Sequence, residues 1–197
     1  MAVEIIYETH SITTDNEAGI ATGWLPGQLS EEGRRLAVEL GERHRAGDIA
    51  AVFVSDLTRA VETATIAFGQ TAIPIYQDAR LRECNYGTLN GAPVAALAAQ
   101  RWRRIETPFP GGQSYRQVID ATAEFLADLL AEWDGRRIVI IAHSANRWAL
   151  ECLLGGRAIE DLVDAPFNWQ PGWRYTLPAG WKPLRNGDAG PHHPASP

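Results

Sequence analysis

The chain has 197 residues, a size that fits one α/β domain or at most two very small ones. Hydrophobic residues make up 45% and charged residues 21%, which supplies a packed core and excludes general disorder. With 18 Lys and Arg against 24 Asp and Glu, the formal charge of −6 excludes broad attraction to nucleic acid or an anionic membrane. An anionic ligand must therefore meet a few cations gathered in one pocket. The cysteines, Cys84 and Cys152, are too few for a disulfide framework and read as reduced thiols of a cytoplasmic protein. Residues 1–7 have no basic region, and no apolar run approaches the ~20 residues of a membrane-spanning helix.

Val3 to Tyr7 is short, apolar and rich in β-branched residues, which predicts a buried strand. A polar loop follows from His10 to Gln28. Ser30 reads as a helix N-cap, with Glu31 and Glu32 suited to the positive end of the helix dipole and the helix running to about Gly47. Ala51 to Val54 is a second strand, Asp56 to Phe68 a helix, and Ile73 to Tyr76 a third strand. A short helix falls within Pro93 to Arg104, and Pro108 to Gly112 breaks the chain. Gln113 to Trp133 is a long amphipathic helix ended by Gly135. Ile138 to Ala142 is apolar throughout, as a central parallel strand covered on both faces requires. Asn146 to Leu154 is a helix, and Phe167–Gln170 with Trp173–Leu177 flank Pro171-Gly172 as a terminal hairpin. The stretch from Arg185 to Pro197, rich in Pro, Gly and His, reads as a flexible tail.

Strands alternating with helices predict a three-layer α/β/α fold with a mostly parallel sheet. Ligands bind such sheets beyond the carboxyl ends of the strands. His10 lies just past the first strand, Arg59 in the first turn of the helix after the second, and His143 past the Ile138 strand at a helix start. A helix start favours an anion, and an arginine beside a strand end can clamp a phosphate through two donors. Glu83 lies in a loop before Tyr86-Gly87. Two histidines, an arginine and a carboxylate around an anion pocket suit covalent phosphoryl transfer, with one histidine attacking phosphorus and the carboxyl protonating the leaving oxygen.

The segments from Asn16 to Gly33, Ser55-Asp56-Leu57-Thr58-Arg59-Ala60, Arg80-Leu81-Arg82-Glu83, Pro110-Gly111-Gly112-Gln113-Ser114 and Ile140-Ile141-Ala142-His143-Ser144 occur in a fixed order. In these segments the sequence resembles the histidine phosphatase superfamily, in its phosphoglycerate-mutase-like branch, from about Ile5 to Leu150. The resemblance implies a single domain over residues 1–184 and a small phosphate-ester substrate, with no metal and no organic cofactor; a homodimer is compatible with it. It implies that His10 becomes phosphohistidine and that Glu83 is the proton donor. Arg59 and His143 would hold the phosphoryl oxygens, with Asn16, Thr22 and Gly23 lining the pocket.

The sequence departs from the family where the nucleophile stands: Thr9-His10-Ser11 replaces Arg-His-Gly, and Ser144 replaces the glycine after the second histidine. Thr9, Ser11 and Ser144 offer hydroxyl contacts to a phosphoryl group but no charge; Arg82 and Arg147 are the nearby cations that compensate. The leading expectation is a phosphatase, ahead of a mutase, which needs a second phosphate site. The alternatives are an enzyme of the same fold turned to proton transfer or elimination on a non-phosphate substrate, and a catalytically silent binding protein.

Overall fold

Chain order runs through β1 (Val3–Thr9), α1 (Thr14–Glu17), β2 (Ile20–Ala21), α2 (Glu31–His44), β3 (Ala51–Val54), α3 (Thr58–Phe68) and β4 (Ile75–Gln77). It continues through β5 (Ala92–Pro93), α4 (Val94–Ala98), α5 (Tyr115–Trp133), β6 (Arg137–Ala142), α6 (Ser144–Leu153), α7 (Glu160–Val163) and β7 (Trp173–Leu177). This computed structural model describes residues 1–183; the segment read as a tail lies outside the described residues. No helix among the described residues is long and apolar enough to cross a membrane.

The main sheet has the order β4-β3-β6-β1-β7, parallel except for β7. Side chains alternate across it, as the period of a strand requires. Ile5 and Tyr7 of β1, with Ile138 and Ile140 of β6, face Phe125, Leu126 and Leu129 of α5. Ile6 of β1, with Val139 and Ile141 of β6, faces Leu40 of α2 and Ala60, Ala64 and Phe68 of α3. The expected three layers are present, with α5 and α6 on one face and α2 and α3 on the other.

The predicted terminal hairpin is not formed. Residues 167–170 have no strand, and Trp173–Leu177 pairs antiparallel with β1 instead. The free edge of β1 offers a five-residue ladder from Val3 to Tyr7, and joining it buries Trp173 and Leu177. Pro171 has no N–H for a strand at that point, and Gly172 turns the chain at φ +68. The third strand is also displaced, to Ile75–Gln77, because Pro74 can accept from Val52 N (2.9 Å) but cannot donate. The polar loop after His10 carries α1 and β2, and β2 pairs with β5 in a separate two-stranded sheet.

Sheet register sets the site. Thr9 pairs with Ala142, and His10 N donates to Ala142 O at 2.9 Å, so both histidines leave neighbouring strand ends together. Ser55 N donates to Ile141 O at 3.1 Å, which aligns the β3 end and the start of α3 with them. The loop after His10 rests on the first turn of α2, where Ser30 N donates to Ile12 O at 3.0 Å. A Cβ on Gly33 would overlap that same Ile12 carbonyl oxygen. Gly33→Ala is therefore expected to force the loop or the helix aside and cost about 1–3 kcal/mol, read as a lower urea midpoint at unchanged m-value.

Candidate active site

Arg59 is 3% exposed and stands in the first turn of α3, facing both histidines. Its Nε donates to His10 Nε2 at 3.2 Å, and one Nη meets His143 Nδ1 at 3.3 Å. A guanidinium has no acceptor, so both facing imidazole nitrogens carry lone pairs. That fixes the tautomers. His10 keeps its proton on Nδ1, which donates to Ser11 O at 2.7 Å. His143 keeps its proton on Nε2, a buried atom without a partner among the described residues. The two rings lie 5.1 Å apart between centroids.

Burial and the Arg59 charge push the His10 imidazole down to about 3. Burial, Arg59 and His10 push His143 down in the same direction. Both rings are therefore neutral at ordinary pH, and His10 presents an unprotonated Nε2. Tyr7 hydroxyl donates to the His143 carbonyl from below, fixing the end of β6 against β1.

Glu83 is 8% exposed, and burial raises its carboxyl above the usual carboxylate range. The opposing pulls come from the Cys84 N–H, which donates at 2.8 Å, from Arg59, from the Ala145 N–H and from the Tyr86 hydroxyl. Its backbone is pinned from two sides. Trp24 Nε1 donates to Glu83 O at 2.6 Å, and Asn146 Nδ2 donates to the preceding carbonyl, Arg82 O, at 3.2 Å. Gly23 (φ +56) lies against Asn90 of the segment before β5, whose Oδ1 accepts from Trp24 N at 3.3 Å and would be overlapped by a Cβ on Gly23.

A pocket of about 140 Å³ opens here, and His10, Asn16, Thr22, Gly23, Arg59, Glu83 and Ser144 are all in its wall. His143 lies behind that wall, fully buried, and meets it through Arg59. Thr9 ends β1 opposite Ala142, and Ser11 N donates to Thr63 Oγ1 at 3.0 Å; neither lines the pocket. Asn16 Oδ1 accepts from Thr13 N at 3.0 Å, so its amide NH₂ is what it offers to a ligand.

The cations expected to compensate are committed elsewhere. Arg82 Nε donates to Asp56 Oδ1 at 2.6 Å, and its guanidinium lies 4.7 Å from the Trp24 ring. Arg147 lies over Trp173 at 5.2 Å and Phe167 at 5.8 Å. Among the described residues, no group of three or more His, Cys, Asp and Glu is placed to hold a metal ion.

A family model of the histidine phosphatase superfamily, branch 1, matches residues 9–169. The chain belongs to that superfamily. A 2,3-bisphosphoglycerate-dependent phosphoglycerate mutase of Cytophaga hutchinsonii is 30% identical over 171 residues, covering 81% of this chain and 80% of that protein. The YhfR protein of Bacillus stearothermophilus has a similar structure, with a TM-score of 0.79 at 25% identity over 93% of this chain and 95% of that one. A mycobacterial glucosyl-3-phosphoglycerate phosphatase gives a TM-score of 0.71 at 28% identity, over 83% of this chain and 84% of that one.

In this histidine phosphatase superfamily member the rest of the pocket wall is built by residues that sequence reasoning did not single out as site residues. They are Ile20, Ala21, Tyr86, Val94, Leu97, Arg101 and Trp148. Two carried a usable signal. Tyr86 follows Glu83 by three residues, and Trp148 follows Ser144 by one helical turn on the same face. Arg101 stands in a run of arginines with no period to mark it, and its guanidinium lies 5.6 Å from the Trp148 ring.

Proposed function

We propose that the protein is a phosphatase that hydrolyses a small phosphomonoester through a phosphohistidine formed on His10. The observation that carries this reading is one small pocket in which a neutral His10 Nε2 lone pair, the Arg59 guanidinium and the buried acid Glu83 share a wall. Arg59 Nε–H turns from His10 Nε2 to a phosphoryl oxygen, the freed Nε2 lone pair attacks phosphorus as the bond to the leaving oxygen breaks, and Glu83 gives its proton to that oxygen. The resulting carboxylate takes a proton from water as the water oxygen attacks phosphorus. The P–N bond then breaks and His10 returns neutral.

Arg59, Asn16, the backbone at Thr22 and Gly23, and Ser144 at the start of α6 surround the phosphoryl oxygens, with His143 Nε2–H as a spare buried donor. Thr9 and Ser11 act on the nucleophile through the backbone, Ser11 through its carbonyl oxygen, which accepts the hydrogen bond from His10 Nδ1–H. The steps draw on these side chains alone. Hydrolysis is favoured over mutase chemistry because beyond Arg59 the pocket wall offers one further cation, Arg101, among Ile20, Val94, Leu97 and Trp148, a meagre charge for a second phosphate. The mycobacterial relative, named for its phosphatase activity, supports the same reading. In this reading the protein works in the cytoplasm, in keeping with Cys84 and Cys152 being unpaired.

Rapid acid-sensitive trapping tests the nucleophile. Wild-type protein mixed with a turned-over phosphate ester is expected to carry acid-labile phosphate on His10. His10→Ala is expected to lose both the label and turnover, and full activity in that variant contradicts the mechanism.

Glu83→Gln keeps the shape of the side chain but cannot deliver the proton. It is expected to slow alkyl phosphate hydrolysis by ~10²–10⁴-fold, the range of general-acid contributions. Nitrophenyl phosphate, whose leaving group needs little protonation, is expected to lose much less. Equal losses on the two substrates would assign Glu83 a structural role instead.

A further inference from the structure

The charges around the phosphoryl end of the pocket form an unusual balance. Among the described residues, Arg59 is the one guanidinium bonded to either histidine, and its donors already meet four protein acceptors. These are His10 Nε2 at 3.2 Å, His143 Nδ1 at 3.3 Å, Gly23 O at 2.9 Å and Leu25 O at 3.5 Å. A guanidinium has five N–H donors, so little of its capacity is open to a ligand.

A carboxylate accompanies it. Asp15 accepts from the hydroxyl of the pocket residue Thr22 at 2.7 Å and acts on Arg59 through its charge. Glu83 adds a second carboxyl to the same wall. The other arginines nearby point away, Arg82 to Asp56 and Arg147 to the Trp173 and Phe167 rings. Arg101, also in the pocket wall, lies beside Trp148 and donates to Val163 O at 3.3 Å.

A doubly charged group seated against this one guanidinium, with the Glu83 and Asp15 carboxyls near it, would leave negative charge uncompensated in a desolvated pocket. A singly charged group matches the one cation. We infer that this site selects a tetrahedral group carrying one negative charge, so that a phosphomonoester reacts as its monoanion. The inference rests on the phosphatase reading and names the ionic form of its substrate.

The reaction balances in that form. Neutral His10, protonated Glu83 and the ester monoanion sum to one negative charge. Attack by Nε2 breaks the ester bond, and the Glu83 proton leaves on the alcohol. One negative charge then stays on the Glu83 carboxylate, beside a phosphohistidine that is neutral overall. Water attack restores neutral His10 and protonated Glu83 and releases phosphate as its monoanion.

A rate that falls with rising pH would fit this form, since the second ionisation of a phosphomonoester lies near about 6. Glu83 must also be protonated, so a pH profile alone merges the two ionisations. Inorganic anions of fixed charge separate them. Binding of perrhenate, a tetrahedral monoanion, and of sulfate, a tetrahedral dianion, is measured by calorimetry on the whole protein at pH 7 and constant ionic strength. Perrhenate is expected to bind at least ~10-fold more tightly, the size of one charge-assisted contact. Asp15→Asn keeps the acceptor for Thr22 but removes the charge beside Arg59, and is expected to narrow that ratio.

Sulfate binding as tightly as perrhenate, or binding by neither anion, overturns the inference. A ratio unchanged in a folded Asp15→Asn protein overturns it too. Phosphohistidine trapping decides the phosphatase reading independently: a labelled, active enzyme that prefers sulfate removes the charge selection and leaves the phosphatase standing.

Discussion

Arg59 holds two imidazoles from one guanidinium, and the rest of the site is arranged around that contact. A cation 3% exposed is costly to bury unless its donors are used. Here the acceptors are the two ring nitrogens and the carbonyls of Gly23 and Leu25. The contact also decides the chemistry of the histidines. By donating to both rings it fixes where each proton sits, and its charge, added to the larger effect of burial, keeps both rings neutral.

Everything that aligns Arg59 with the rings is backbone register. Thr9 opposite Ala142 sets the two histidines at neighbouring strand ends, and β3, paired to β6 on its other side, delivers the α3 turn. The acid enters by a different route. Glu83 belongs to a loop rather than a strand end, and it is held through its own main chain. Trp24 from the loop after His10 and Asn146 from α6 donate to successive carbonyls, and Asp56 ties Arg82 to the end of β3. The three segments that build the site are therefore bonded to one another through Glu83 and the residues flanking it.

Much of this was legible in the sequence. The apolar runs Val3–Tyr7 and Ile138–Ala142 marked the two central strands, and the order of strands and helices predicted the layers. The positions of His10, Arg59 and His143 at strand ends followed directly. The terminal hairpin failed because local turn chemistry at Pro171-Gly172 says where a chain bends, not which edge it joins; β1 competed and won. Arg82 and Arg147 were near pocket residues in sequence, but the aromatic faces of Trp24, Trp173 and Phe167 and the Asp56 carboxylate decide where their charges lie. Ile20, Val94 and Leu97 of the pocket wall come from short elements with too few residues to show a period. Their convergence is a tertiary fact.

The central claim is that burial and Arg59 together keep His10 neutral, with its lone pair on Nε2. Nitrogen NMR of a ¹⁵N-histidine-labelled protein, with His10 assigned by substitution, reads this directly. At pH 7 the His10 signals are predicted to show a protonated Nδ1 and an unprotonated Nε2, unchanged down to the lowest pH at which the protein stays folded, consistent with an imidazole pushed down to about 3. A His10 ring that titrates near the ordinary value of about 6.5, or that carries its proton on Nε2, would contradict the account.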